Sequence, residues 1–336
     1  MRLPRFDYVK PGTLEEGLAV LQEYGSKAKI LAGGTDLIVN MKHRVVCPEK
    51  VISIKSLPDL SVIAPDGKDQ LHIGAGVTLS ESVAHGVLAE EFPAVRQALQ
   101  SVASKHIRNV ATVGGNICLD NRCWYYNQTK LWRDAREVCY KLGGRLCHAI
   151  KGSERCHAIN SSDTAPVLIA LGATIKLAKK GHERIVPLKD FYQDNGARPT
   201  SREPEEMVTA VSIPKSTEDS RTTFIKVSMR KGIDFAMGSI AGHVRGNGKG
   251  VAGVTLVLGS LASQPIVLKK AAQVITGEGF TEGAIEKAAL TARSELGPLT
   301  NLFTSAGYKR HLAEVLVKRA LCALTDQPET RGGRKR

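Results

Sequence analysis

Four cysteines in one short stretch are the residues best suited to chemistry in this chain. Cys123, Cys139, Cys147 and Cys156 are separated by 15, 7 and 8 residues. Four thiolates are the number that a closed tetrahedral zinc site or a cubane iron–sulfur cluster requires. The spacing lacks the C-x2-C pairs of zinc ribbons and ferredoxins, so by itself it does not choose between the two. His148 and His157 each directly follow a cysteine and keep zinc open, although as polar loop residues they need no metal. Cys118 stands just ahead of the set, as a thiol beside a glycine loop; Cys47 and Cys322 lie far from it. The cysteine count, seven, is odd, and the opening Met1-Arg2-Leu3-Pro4-Arg5-Phe6-Asp7 has no apolar signal run, so no disulfide framework is expected.

The second chemical feature is a pair of glycine loops, Ala32-Gly33-Gly34-Thr35-Asp36-Leu37 and Thr112-Val113-Gly114-Gly115-Asn116. Without a Cβ, a backbone can crowd its N–H groups around a phosphate, and two such loops can clamp a pyrophosphate. Neither loop fits the G-x-G-x-x-G fingerprint or the phosphate loop ending in Gly-Lys-Ser/Thr, and a Gly-Gly pair is also a common turn, so on spacing alone this is an anion site or two tight turns.

The elements that must position these residues read as α/β. Thr13-Leu14-Glu15-Glu16 reads as a capping box, and Leu14, Leu18 and Leu21 predict a helix from about 14 to 24, ended by Gly25. Residues 29–32 and 51–54 predict short strands. A second unit opens at Leu71-His72-Ile73-Gly74-Ala75, with Thr78 or Ser80 as a cap and a helix after Pro93 carrying Val95, Leu99 and Val102 on one face. The run 109–116 reads as a strand and a glycine turn. Strands are expected at 174–177 and 207–213. From about 222, alternating Phe224, Lys226 and Ser228, then Val251 to Leu258, predict a small antiparallel sheet. Helices follow at 282–294 and 308–325, the last with Leu312, Val315, Leu316, Arg319 and Ala320 on one face.

Composition limits the function classes. Hydrophobic residues make up 42%, too many for a disordered chain, and no apolar run reaches the length of a membrane helix, so a soluble, cytoplasmic protein is expected. The formal net charge of +14 is scattered except for the tail 331–336, and no nucleic-acid motif accompanies it. An acidic protein partner or an anionic cofactor is the expected reason for it, with a basic nucleic-acid binder kept as a further alternative.

Several of these strings, in order along nearly the whole chain, resemble the FAD-binding subunits of molybdenum hydroxylases, the family of xanthine dehydrogenases, carbon monoxide dehydrogenases and 4-hydroxybenzoyl-CoA reductase. The similarity is carried by Lys29 to Leu37, Ile107 to Ile117, Ser162-Asp163-Thr164-Ala165-Pro166, the strand Glu206 to Pro214, Lys226 with Arg230 and Asp234, and Tyr308-Lys309-Arg310-His311-Leu312. The segment Asn121-Arg122-Cys123-Trp124-Tyr125-Tyr126-Asn127-Gln128, continued by Trp132-Arg133, Cys139, Cys147-His148 and Arg155-Cys156, is similar to an insert in the 4-hydroxybenzoyl-CoA reductase flavoprotein subunit.

The resemblance implies an α+β fold: two FAD-binding α/β subdomains, 1–57 and 58–220, the second interrupted by an insert at about 118–160. A C-terminal domain like that of carbon monoxide dehydrogenase flavoproteins follows at 221–328, then a disordered basic tail at 329–336. It implies that Ile30, Leu31, Ala32, Gly33, Gly34, Thr35, Asp36 and Leu37, with Thr112, Val113, Gly114, Gly115 and Asn116, wrap the FAD pyrophosphate, largely through backbone amides. Asp163 is expected on the adenosine side or fixing the nearby loop, Val102 and Val208 near flavin or adenine, and Lys226 near the flavin ring; read from its residue type alone, Lys226 is a solvated strand lysine. Cys123, Cys139, Cys147 and Cys156 are expected to hold a [4Fe–4S] cluster. Implied partners are a large molybdenum-cofactor subunit, a small subunit with two [2Fe–2S] clusters and a ferredoxin-like carrier, in a dimer of heterotrimers. No catalytic acid or base is expected, because electron transfer needs none. A xanthine dehydrogenase-like or other hydroxylase complex stays open, as does a zinc-stabilised binding module without redox chemistry.

Overall fold

The computed structural model describes residues 2–67, 69–216, 219–246, 251–297 and 304–325; the basic tail expected at 329–336 lies outside them. The first sheet is parallel, with β1 (Asp7–Val9), β2 (Ala28–Leu31) and β3 (Lys50–Ser53) in the order β1-β3-β2. Helix Leu14–Tyr24 joins β1 to β2 and buries Leu18 and Leu21 against Ile52, Leu57 and Met207. Thr13 caps it by accepting from the Glu16 amide, but Glu16 reaches past the cap to the Gly12 amide, 2.7 Å away. Gly25 ends the helix at φ +48°, a conformation that glycine adopts without strain.

The second sheet is antiparallel, with β4 (Ile63–Pro65), β5 (Gln70–Gly74), β6 (Thr174–Lys179), β7 (His182–Pro187) and β8 (Met207–Pro214) in the order β4-β5-β8-β6-β7. Between β5 and β6 the chain makes a long excursion that carries the second glycine loop and all four clustered cysteines. Helix Pro93–Ser101 packs Val95 and Leu99 into the core here, while Val102 caps its C-terminus.

The run 109–116, expected as a strand and a turn, is instead the end of one short helix, Lys105–Arg108, and the start of another, Val113–Ile117. Ser104 and Thr112 each cap a helix by accepting from the amide three residues on. Val110 and Val113 favour a strand locally, yet among the described residues this run makes a single strand-like pairing, the bridge from Thr78 to Thr112. Caps win where no ladder is available.

The third sheet, β9 (Arg221–Val227), β10 (Gly238–Gly246), β11 (Val251–Gly259) and β12 (Ile266–Val267), is antiparallel in the order β12-β11-β10-β9. Both faces are buried. Ile240, Leu256 and Leu258 face helices Lys269–Glu278, Glu282–Glu295 and Ala306–Thr325. Phe224, Ala241 and Val257, on alternate positions, join the core around helix Thr164–Ala170. His243 fastens the two layers: its ring sits 3.1 Å from the Ala170 carbonyl oxygen and 2.7 Å from the Ser220 hydroxyl. In the last helix Leu312, Leu316 and Ala320 are buried as expected, but Ala313, Val317 and Leu321 complete the face, while Val315 is half-buried and Arg319 exposed. The helix lies between the sheet and its neighbouring helix, so its apolar stripe turns toward that second contact. Among the described residues no helix is long and apolar enough to cross a membrane.

Candidate functional site

The two glycine loops meet. A Cβ on Gly33 would lie 1.9 Å from the Val110 carbonyl oxygen, so the first loop rests directly on the backbone leading into the second. Gly34 adopts φ +71°, which turns the chain into helix Leu37–Lys42. Above this contact is a cleft of about 380 Å³. Ile30, Ala32, Gly33, Gly34, Thr35, Asp36 and Leu37 line it from the first loop, and Thr112, Gly115 and Asn116 from the second. Val102 and Asp163 complete the predicted residues that reach it.

On the other side of the same loops is a second cleft of about 460 Å³, lined by Gly114 and Val208 and sharing Ile30, Ala32, Asp36 and Gly115 with the first. Val113 is buried. Leu31 lies under Gly34, its Cδ1 in tight contact with the place a Gly34 Cβ would occupy.

The loops differ in what their amides can do. The amides of Gly33, Gly34, Thr35 and Asp36 donate to no acceptor among the described residues. Those of the second loop are engaged: Val113 to the Val77 carbonyl, Gly114 to the Ala75 carbonyl, Gly115 to the Thr112 hydroxyl and Asn116 to the Thr112 carbonyl, at 2.9 to 3.1 Å. The first loop therefore carries the free donors that a pyrophosphate needs. The Asn116 side-chain oxygen accepts from the Ser162 and Thr164 hydroxyls at 2.8 and 2.6 Å, which ties the second loop to the Asp163 turn.

Asp163 is buried. Its Oδ2 accepts from Lys226 Nζ at 2.6 Å, and its Oδ1 has no partner among the described residues. Burial pushes its pKa up, against the pull of the Lys226 ammonium. Lys226 also donates to the Ser101 carbonyl, at 3.0 Å. It is thus not a solvated strand lysine; it stands behind Asp163, which faces the cleft. Asp36 is likewise pushed up by burial and held down by Arg122, with which it forms an ion pair. The free loop amides and the unpartnered Asp163 oxygen fit a ligand that offers both phosphate acceptors and hydroxyl donors, as FAD does.

Next to this cleft the insert folds around its cysteines. Cys123, Cys139, Cys147 and Cys156 line one small cavity with Tyr125, Tyr126 and His148. Arg122 and Ile159 exchange backbone hydrogen bonds at 2.8 Å each, closing the segment at its two ends. Gly144 allows the tight loop between Cys139 and Cys147, since a Cβ there would meet the Val138 carbonyl oxygen at 1.7 Å. The Ala158 amide donates to Cys156 Sγ at 3.4 Å, and burial pushes the Cys156 thiol up to about 11. Lys141 borders the cavity, ion-paired with Asp120 at 2.7 Å and 4.9 Å from the Tyr126 ring centre. Among the described residues no three His, Cys, Asp or Glu side chains are set to hold a single metal ion.

Residues 4–216 match the family model for the FAD binding domain in molybdopterin dehydrogenase, and residues 223–324 match that for the CO dehydrogenase flavoprotein C-terminal domain. This chain belongs to that family: it is an FAD-binding medium subunit of the molybdenum hydroxylases. The flavoprotein is 27% identical over 316 residues to the carbon monoxide dehydrogenase medium chain of Afipia carboxidovorans, covering 94% of this chain and 95% of that one. It is 30% identical over 275 residues to the aldehyde oxidoreductase FAD-binding subunit PaoB of Escherichia coli K12, covering 77% and 82%. A solved carbon monoxide dehydrogenase from Hydrogenophaga pseudoflava superposes with a TM-score of 0.80 at 26% identity, covering 97% of this chain and 99% of that one.

Cleft residues of the flavoprotein that sequence reasoning missed include Ala103, Phe235 and Cys118. Ala103, at φ +45°, follows Val102 into the cleft, and Phe235 arrives from the β9–β10 connection. Cys118 lines both clefts; its surface faces the open clefts while protein surrounds it, and burial raises its pKa. Residue type gives no signal for the first two. Cys118 is visible as a thiol beside the loop, but its position between two cavities is tertiary.

Proposed function

We propose that this flavoprotein is the electron-transfer subunit of a 4-hydroxybenzoyl-CoA reductase-like molybdenum complex, with a [4Fe–4S] cluster on Cys123, Cys139, Cys147 and Cys156. The observation that carries this reading is the convergence of all four thiols on one cavity beside the FAD cleft. Zinc and a cubane cluster both take four thiolates, and metal analysis separates them.

FAD, when bound, exchanges electrons in pairs with one partner and singly with another. The residues of this chain hold it: Gly33 to Asp36 offer amides to the pyrophosphate, Asp163 offers Oδ1 to a hydroxyl, and Lys226 orients that carboxyl and pulls against the effect of its burial. The insert supplies four sulfur ligands, and Lys141 places a positive charge beside them. The Ala158 amide, donating to Cys156 Sγ, favours extra electron density on that sulfur. None of these residues binds an organic substrate; in this reading that site is on the molybdenum subunit, a small subunit with two [2Fe–2S] clusters lies between, and a ferredoxin-like carrier meets the insert. The relatives include chains named for carbon monoxide, nicotinate and xanthine dehydrogenases, so the substrate is set outside this subunit.

Iron, zinc and flavin analysis of the anaerobically purified chain tests the proposal. The expected result is FAD with about four irons per chain, the iron falling away in Cys139→Ser while FAD stays. Zinc in place of iron, or iron unchanged in the variant, removes the cluster from the account and leaves the FAD subunit.

A further inference from the structure

We propose that Arg122 binds FAD directly, reaching into the cleft from the first turn of the cysteine segment. This rests on FAD occupying the glycine-loop cleft. The charged side chains that line this cleft among the described residues are Asp36, Asp163, Asp234 and Arg122. Three are carboxylates, yet the cofactor brings a doubly charged pyrophosphate and a ring whose reduced form is anionic. Among the described residues Arg122 is the one cation on this cleft's lining, while Lys29, Lys141, Arg198 and Arg202 line the second cleft, and a guanidinium stays charged at any working pH.

Its geometry is set for the task. The Asp36 carboxylate holds Nη2, and the guanidinium lies 5.1 Å from the centre of the Phe235 ring. The paired backbone bonds to Ile159 fix the main chain beneath it. Nε is buried and has no hydrogen-bond partner among the described residues. The guanidinium itself lines the cleft, tied to protein side chains among the described residues through Nη2 alone, so its outer edge can donate to an acceptor from the ligand. Lys226, the cation that sequence comparison puts near the flavin, already donates to Asp163 and to the Ser101 carbonyl. Arg122 also directly precedes Cys123, so a single dipeptide contributes to both the FAD cleft and the thiol cavity.

FAD is removed from the full-length chain and titrated back, with flavin fluorescence as the readout. Wild type, Arg122→Met, Arg122→Lys and Asp36→Asn are compared. Direct contact by a charged donor predicts a Kd raised roughly tenfold or more in Arg122→Met. Arg122→Lys, which keeps the charge and loses the fork, recovers part of that. Asp36→Asn removes the carboxylate that anchors Nη2 but leaves the guanidinium, and raises Kd by less than Arg122→Met does. If Arg122 acted only by anchoring the first loop, Arg122→Met and Asp36→Asn would weaken FAD equally and the double variant no further; that result overturns the proposal. So does an unchanged Kd in Arg122→Met. Wild-type protein that takes up no FAD would sink the cleft assignment itself, an outcome separable from the other two because it does not depend on any variant.

Discussion

Gly33 shows what a single missing methyl group does in this site. The first loop can lie on the Val110 carbonyl only because nothing projects from its Cα. Gly33→Ala would force the two loops apart and move the free amides away from the proposed pyrophosphate site. The expected outcome is a purified chain with less than about a tenth of the wild-type FAD content, because a buried clash of this kind costs a few kcal/mol. Full flavin content in that variant would mean that the loops tolerate separation. Both glycine loops are legible as residue types, and so is the cysteine set. What was not legible is that the second loop spends its amides on Val77, Ala75 and Thr112. Those acceptors come from distant turns, and no local pattern announces them.

At the scale of elements, short capped helices position the site. Thr78 and Glu81 form a full capping box at helix Leu79–Ala84: the Thr78 amide reaches Glu81 at 2.8 Å and the Glu81 amide reaches Thr78 Oγ1 at 3.1 Å. The Leu79 amide donates to the Ala111 carbonyl, and the Ser80 hydroxyl to Asn109, so this cap also braces the approach to the second loop. Thr78→Ala is expected to lower stability by about 1 kcal/mol in a denaturant titration. The bonds to Thr78 hold the Glu81 carboxyl below its ordinary range. A lowered folded pKa means the contribution is present above the unfolded value of about 4.3 and is lost as pH falls through the folded one. Glu81 is exposed, so solvent screening keeps the effect small. The difference between wild type and Thr78→Ala should therefore shrink below about pH 4; a gap that grows with acid would contradict the box. Thr78 was readable as a cap because the signal is local. The run 109–116 was misread because β-branched residues suggest a strand, and whether a strand forms depends on an edge to pair with.

Over the whole molecule, three sheets meet around the excursion between β5 and β6. The cysteine segment is pinned across the fold: the buried Asn121 side chain donates to the Ala158 carbonyl at 2.9 Å and to the Ser263 carbonyl, in the β11–β12 connection, at 2.7 Å. The formal charge of +14 belongs to this scale too. A net positive field speeds encounter with an acidic carrier and is screened over roughly 10 Å at 0.1 M salt. Reduction of the loaded complex by an acidic carrier protein should slow severalfold between about 50 and 300 mM salt, while reduction by a neutral dye changes little. Equal salt dependence for both would assign the charge to another partner.

The sequence by itself determined the element types wherever a period or a cap is local: helix Leu14–Tyr24, the antiparallel pairing of the third sheet, and the existence of two glycine loops and a four-cysteine segment. Tertiary structure alone decided that the two loops touch, that Lys226 stands behind Asp163, that Arg122 turns into the cleft, and that thiols spread over more than thirty residues wall one cavity. The physical reason is range. Periodicity and capping are satisfied within a few residues, whereas a cleft is made by backbone and charges whose partners are brought together only when the sheets pack.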